Sequence, residues 1–237
     1  MKNVEESLEN IPKIFSISMV IIILVHIVFL VLKYVFGFED GLVYRLSFHF
    51  HLDGEQNIPA WFSTLILLNC SLLLYIIYRI SKDVKPDKFW LLLSVIFLCL
   101  SMDEMNSLHE RLIGPLREAL NLSGYFYFAW IVVGMAFVLV VGLISIPFLK
   151  TLPPKAALHF IVAGFIYILG AIGMEMIGGQ EAYLVALSDQ GGNMQNRGPL
   201  YSFIITVEET LEMSGIVFFN YVLIRYIKFQ GSSENIY

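Results

Sequence analysis

The sequence predicts an all-α membrane protein, a bundle of six transmembrane helices with both termini in the cytoplasm. Three observations carry that expectation. Of the 237 residues 57% are hydrophobic and only 15% charged, and the mean hydropathy is +0.73. A water-soluble domain carries about 25% charged residues, so the surplus apolar surface calls for lipid. The apolar residues collect in six runs near the ~20 residues that cross a bilayer. Lys and Arg divide unevenly between two sets of connections, the signature that orients such helices.

The expected spans are 14–36, 59–79, 89–112, 124–149, 156–177 and 200–227. The first is too long for a signal-peptide core and no small-x-small cleavage site follows it, so it reads as a retained span. Pro59 opens the second, as proline does at a helix start. The third ends in a polar stretch. Pro153 and Pro154 mark a tight turn between the fourth and fifth, and Gly231 follows the sixth. Residues 1–237 read as a single transmembrane domain whose loops stay under about 25 residues. Ala163, Gly164, Gly170, Ala171 and Gly173 put small residues on one stripe of the fifth span, allowing close approach of a neighbouring backbone. Trp61, Trp90 and Trp130 fall near span ends, where aromatic belts form. Cys70 and Cys99 lie in apolar runs and read as small core residues.

One set of connections contains Lys2, Lys13, Arg79, Lys82, Lys85, Lys88, Lys150, Lys155, Arg225 and Lys228. The other contains Arg45, Arg111, Arg117 and Arg197, with Lys33 near the end of the first span. Ten against five places the first set in the cytoplasm and agrees with an even number of spans. The net charge of −5 argues against a nucleic-acid partner, which would need a basic face. Membrane lipid is the expected partner, and a homo-oligomer or a partner subunit is compatible with the sequence.

On this topology the acids converge. The third span ends with Asp103, Glu104, His109 and Glu110; the fifth ends at Glu175; the sixth begins with Glu208, Glu209 and Glu212. The loop before the second span holds His51, Asp53 and Glu55. All four segments reach the outer side, an agreement independent of the basic residues that set the orientation. At ~100° per residue, Asp103 and Glu110 lie within about 20° on one helix, with Asn106 between them. Glu208 and Glu212 are one turn apart, and Glu209 and Glu212 are i,i+3 neighbours. An isolated acid at mid-membrane depth costs about 2.5–3.5 kcal/mol on insertion scales. Arg111, Arg117, Arg197 and His109 are too few to offset them all, so a bound cation is expected.

The candidate metal ligands are His109, Glu110, Glu175, Glu208, Glu209 and Glu212, with Asp103 and Glu104 as candidate catalytic residues. His51, Asp53 and Glu55 are candidates for a lid or further ligands. The donor set favours Fe, Mn or Zn and also suits Mg or Ca, as one ion or two. Carboxylate-bridged dinuclear sites use inward Glu residues with Glu-x-x-His pairs. Glu209-x-x-Glu212 has the spacing but not the histidine. Each candidate has a plain alternative: interfacial polar contacts for the acids, a helix-end histidine for His109, and a solvated turn capping the second span through Asn57 and Pro59 for the loop. His26 reads as a hydrogen-bonded core histidine and His159 as interfacial.

Four segments carry a resemblance: Leu52-Asp-Gly-Glu-Gln-Asn-Ile-Pro-Ala-Trp-Phe-Ser63, Ser101-Met-Asp-Glu104 with His109-Glu110, Gly170-Ala-Ile-Gly-Met-Glu-Met-Ile-Gly-Gly179 and Glu208-Glu-Thr-Leu-Glu-Met-Ser-Gly215. Together they resemble a group of uncharacterised bacterial multi-pass membrane proteins. The resemblance implies a bacterial inner-membrane location and brings no activity or cofactor. The HxxxH and HxxHH boxes of membrane desaturases, and the HxxxH of ceramidase-like hydrolases, are absent from the sequence.

Three functions fit these expectations. The first is a metal-dependent membrane enzyme, an oxidoreductase or hydrolase, acting on a lipid, quinone or other apolar molecule. The second is a cation or proton transporter. The third is a non-catalytic sensor or complex subunit in which the site staples the bundle, with the 180–198 loop (Glu181, Asp189, Gly191, Gly192, Arg197) as partner surface.

Overall fold

The computed structural model describes residues 2–38, 40–81, 87–188 and 198–231, which form helices and turns with no strand among them. Helix α1 (Lys2–Tyr34) leads into the short α2 (Gly41–Phe48). Helix α3 (Ile58–Ile80) is joined to α4 (Asp87–Asn106), and the short α5 (Ile113–Leu120) follows. Next come α6 (Ile131–Leu149) and α7 (Pro154–Ile168). A π-helical turn (Leu169–Met174) runs without a break into α8 (Glu175–Ser188), and α9 (Gly198–Gly231) closes the chain.

Helix α9 is the spine. Met213, Val222 and Leu223 on it are almost fully buried, and α1, α3, α7 and the π turn pack around it. Buried polar side chains tie these neighbours together. Asn220 donates to the Ile66 carbonyl at 3.0 Å and accepts from Asn69 at 2.6 Å, joining α9 to α3. The hydroxyls of Ser71 and Ser94 each donate to the other's carbonyl, at 2.8 and 2.9 Å, joining α3 to α4. In hydrocarbon such pairs matter because an unpaired polar group has no water to turn to. Of the small-residue stripe, Ala163 and Gly170 face α9, whereas Gly164 and Ala171 line a cavity. A Cβ on Gly170 would stand 2.8 Å from the Glu208 carbonyl oxygen, and one on Gly215 would stand 2.7 Å from the Tyr167 nitrogen. The two backbones therefore meet through glycines.

Several expectations change. Among the described residues five helical stretches, not six, are long and apolar enough to cross a membrane: Asn10–Tyr34, Ile58–Ile80, Lys88–Asn106, Ile131–Leu149 and Pro154–Ser188. Helix α9 is long enough, but Glu208, Glu209, Glu212, Asn220 and Arg225 dilute its apolar character, because its neighbours are mostly protein. The third span stops at Asn106, where Ser107 takes a left-handed backbone (φ 49°). The fourth begins at Ile131, after a single 3-10 turn at Gly124–Phe126. Residues 180–188 of the expected loop are helical; Asp189, Gly191, Gly192 and Arg197 lie outside the described residues. Cys99 is exposed on its helix, and only Cys70 is core. Trp90 is packed among Phe148, Phe160 and Tyr226 instead of lying in a belt, while Trp61 is 62% exposed and suits one.

Candidate functional site

The acids expected together do line one cavity, of about 360 Å3. The turn before α3, the end of α4, the π turn with the first residue of α8, and the early part of α9 form its polar end. Each position has a local cause. Asn57 caps α3, accepting from the Ala60 amide at 3.1 Å, while its own amide donates to the carbonyls of Phe48 and His51 at 3.2 and 2.7 Å. The turn thus winds around Asn57, and Gly54 packs against it where a Cβ would collide with the Asn57 amide. This brings Asp53 and Glu55 to the cavity rim. Capping and site-lining, alternatives in the sequence, are both present.

The break at Ser107 replaces the expected helical stripe. Asp103 and Glu110 do not share a helix face; the chain turns back, so that the His109 amide and its Nδ1 reach the two Asp103 oxygens at 2.9 and 2.8 Å. Asn106 is not between them: its amide donates to the Met102 carbonyl at 2.8 Å, away from the cavity. With Nδ1 donating to Asp103, the ring is held and Nε2 is left for another partner. Burial works against the charged ring. The Asp103 hydrogen bond and charge, with the charges of Glu175 and Glu110, outweigh it and raise the His109 pKa to about 9.

The other carboxyls lie close to one another. Glu208, 8% exposed, hydrogen-bonds Glu175, which also accepts from the Trp130 indole at 2.8 Å. Glu55 accepts from the Ser107 hydroxyl and lies beside Glu110. Burial, and then the charge of Glu110, push the Glu55 pKa up. Glu104, Glu209 and Glu212 face one another across α4 and α9, with Asp53 near Glu209. Among the described residues, His109 is the only basic side chain lining the cavity, and it pairs with Asp103. Arg111 reaches back to the Asn106 carbonyl and Arg117 lies over the Tyr127 ring at 4.2 Å.

The deeper part of the cavity is apolar. Leu93, Ile96, Phe97 and Leu100 of α4 face Phe137, Val138 and Val141 of α6 across it. Helix α6 stands off from the bundle, with only Ile131 and Phe148 buried, so the cleft lies between two membrane-length helices. Trp130 and Tyr167 line the cavity and were not expected there. Tyr167 shares its stripe with Gly164 and Ala171, at i−3 and i+4, so its direction was legible. Trp130 carries no such signal; only the turn at Ala129–Trp130 aims it at Glu175.

His51 is not in this cavity but in a second one beside it, against His26, at 5.4 Å between ring centroids. His26 is buried and its Nε2 lies 3.2 Å from the Thr206 hydroxyl, the core role expected of it. His159 packs on Phe218 with its Nδ1 buried.

The donor types suit a hard or borderline cation. No three His, Cys, Asp or Glu side chains among the described residues are drawn into a coordination sphere. The donors therefore suit a metal in kind alone; as they stand, the described ones are not gathered around one point.

A family model, described as a domain of unknown function (DUF8692), matches residues 19–226, a range that takes in every residue of the site. No curated protein and no solved structure matches the chain.

Proposed function

The chain belongs to the DUF8692 family, and within it we propose a metal-dependent enzyme of a bacterial inner membrane that acts on a lipid, a quinone or another apolar molecule. One observation carries this reading. A single cavity joins nine carboxylates and one histidine to an apolar cleft between two membrane-length helices. A substrate dissolved in lipid can enter such a cleft sideways and present its polar end to the acids.

In this reading α9 is the sixth crossing. Its 34 residues span about 51 Å, and its acids are sheltered by α4 and the π turn instead of meeting lipid. Six crossings return both termini to the cytoplasmic side and place the acids at the outer end. His109, Glu110, Glu175, Glu208, Glu209 and Glu212 hold one or two ions; Fe, Mn or Zn fit best, and Mg or Ca are also compatible. The ion would supply Lewis acidity beside the bound substrate. Asp103 holds His109 in orientation and the Trp130 indole does the same for Glu175; Glu104 is the proton carrier in this reading. A transporter would need a polar path onward. Beyond Tyr167 the next cavity, about 190 Å3, is walled by Leu67, Phe148, Phe160 and Phe219.

Elemental analysis of the purified protein tests the reading. Bound metal is expected in the wild type and is lost in Glu212→Ala. A wild-type protein that is fully helical and free of metal sinks it, and a metal whose removal melts the bundle with no turnover in the loaded form makes the site a structural staple.

A further inference from the structure

The second cavity is larger, about 630 Å3, and is enclosed by α1, α2, the turn before α3 and the start of α9. Its lining is divided by charge. Lys33, His26, Tyr34, Tyr44 and Ser202 belong to this cavity alone, whereas Asp53, Glu55, Glu110 and Glu175 are shared with the acid cavity. On α1, His26, Phe29, Leu30 and Lys33 follow one another at helical spacing and all face the chamber. Lys33 makes no ion pair with a described carboxylate, although four acids line the same space; its ammonium lies 4.9 Å from the Tyr34 ring centroid. Burial, and then the charge of Lys33, lower the pKa of His51, and among the described residues Lys33 is the one lysine or arginine in the lining. Phe38, Val43 and Phe48 also line it, and Phe38 and Phe48 are exposed at the surface. Helix α2 exposes Leu42, Leu46 and Phe48, as a helix lying in the membrane interface does.

We infer that this chamber binds a phosphoethanolamine lipid headgroup, its phosphate at Lys33 and its ammonium toward Glu55. A lone lysine with phenol hydroxyls recognises phosphate oxygens through charge-assisted hydrogen bonds. An anionic headgroup without an amine would face four carboxylates across the chamber, whereas a zwitterion meets both walls. The apolar mouth takes the glycerol and the first acyl carbons. The inference goes beyond the metal reading and does not depend on it, because Lys33 lies outside the acid cavity.

Calorimetric titration of the full chain in detergent micelles tests it, with dihexanoyl phosphatidylethanolamine, dihexanoyl phosphatidylglycerol and inorganic phosphate as probes. The ethanolamine lipid is expected to bind saturably and most tightly. Lys33→Gln weakens it at least tenfold and Lys33→Arg retains it. Glu55→Gln, the variant that decides if Lys33→Gln does not fold, narrows the preference for ethanolamine over glycerol headgroups. Undiminished binding by a folded Lys33→Gln protein overturns the assignment. So does equal affinity for the two lipids, or phosphate alone binding as tightly as either.

Discussion

Asp103 and His109 form the contact on which the polar end of the cavity turns. Both Asp103 oxygens are engaged by the same residue, one by its backbone amide and one by its ring. The folded pKa of His109, about 9, lies above its ordinary 6.5. The stabilisation is therefore complete below about 6.5 and is lost as pH rises through about 9. In chelator-treated protein the thermal midpoint should fall over that window. Asp103→Asn should flatten the fall and move the ring titration, followed by NMR, back toward 6.5. An unchanged ring titration in that variant would show that Asp103 does not set the charge of His109.

At the scale of elements, two joints position the site. The turn before α3 hangs on Asn57, so Asn57→Ala removes a cap and two further hydrogen bonds and should cost about 1–2 kcal/mol. The π turn meets α9 through Gly170, between Glu208 and Glu212. Gly170→Ala has no free space for its methyl group and should cost about 1–3 kcal/mol, lowering the thermal midpoint by several degrees. The same variant should weaken metal retention, since it parts the π turn from the acids on α9; full retention would separate packing from ligation. The glycine-rich stripe made the helix contact legible in the sequence. The π turn was not, because an extra residue per turn leaves no mark on hydrophobic spacing.

For the whole molecule, the proposed sixth crossing rests on packing. Reporters fused to the two ends should both read as cytoplasmic; opposite sides would mean that α9 does not cross. The sequence counted α9 as a span although its apolarity falls short, while the structure shows it as the most enclosed helix, ringed by α1, α3 and α7. A helix surrounded by protein can carry Asn220 and three glutamates because its neighbours supply the partners that lipid cannot.

Composition and the periodic supply of apolar residues determined, without further help, that the chain is all-α with several helices long and apolar enough to cross a membrane, which segments form most of its helices, and that acids from four segments meet at one cavity. These follow from solvent and from the order of elements along the chain, which a linear sequence encodes directly. Only the tertiary structure decided how the acids pair, that Trp130 and Tyr167 join them, that Asp103 and Glu110 meet through a break and not along a helix face, and that Lys33 lines a separate chamber. Those outcomes depend on the left-handed turn at Ser107, the glycine contact at Gly170 and the stand-off of α6, each set by atoms far apart in the chain.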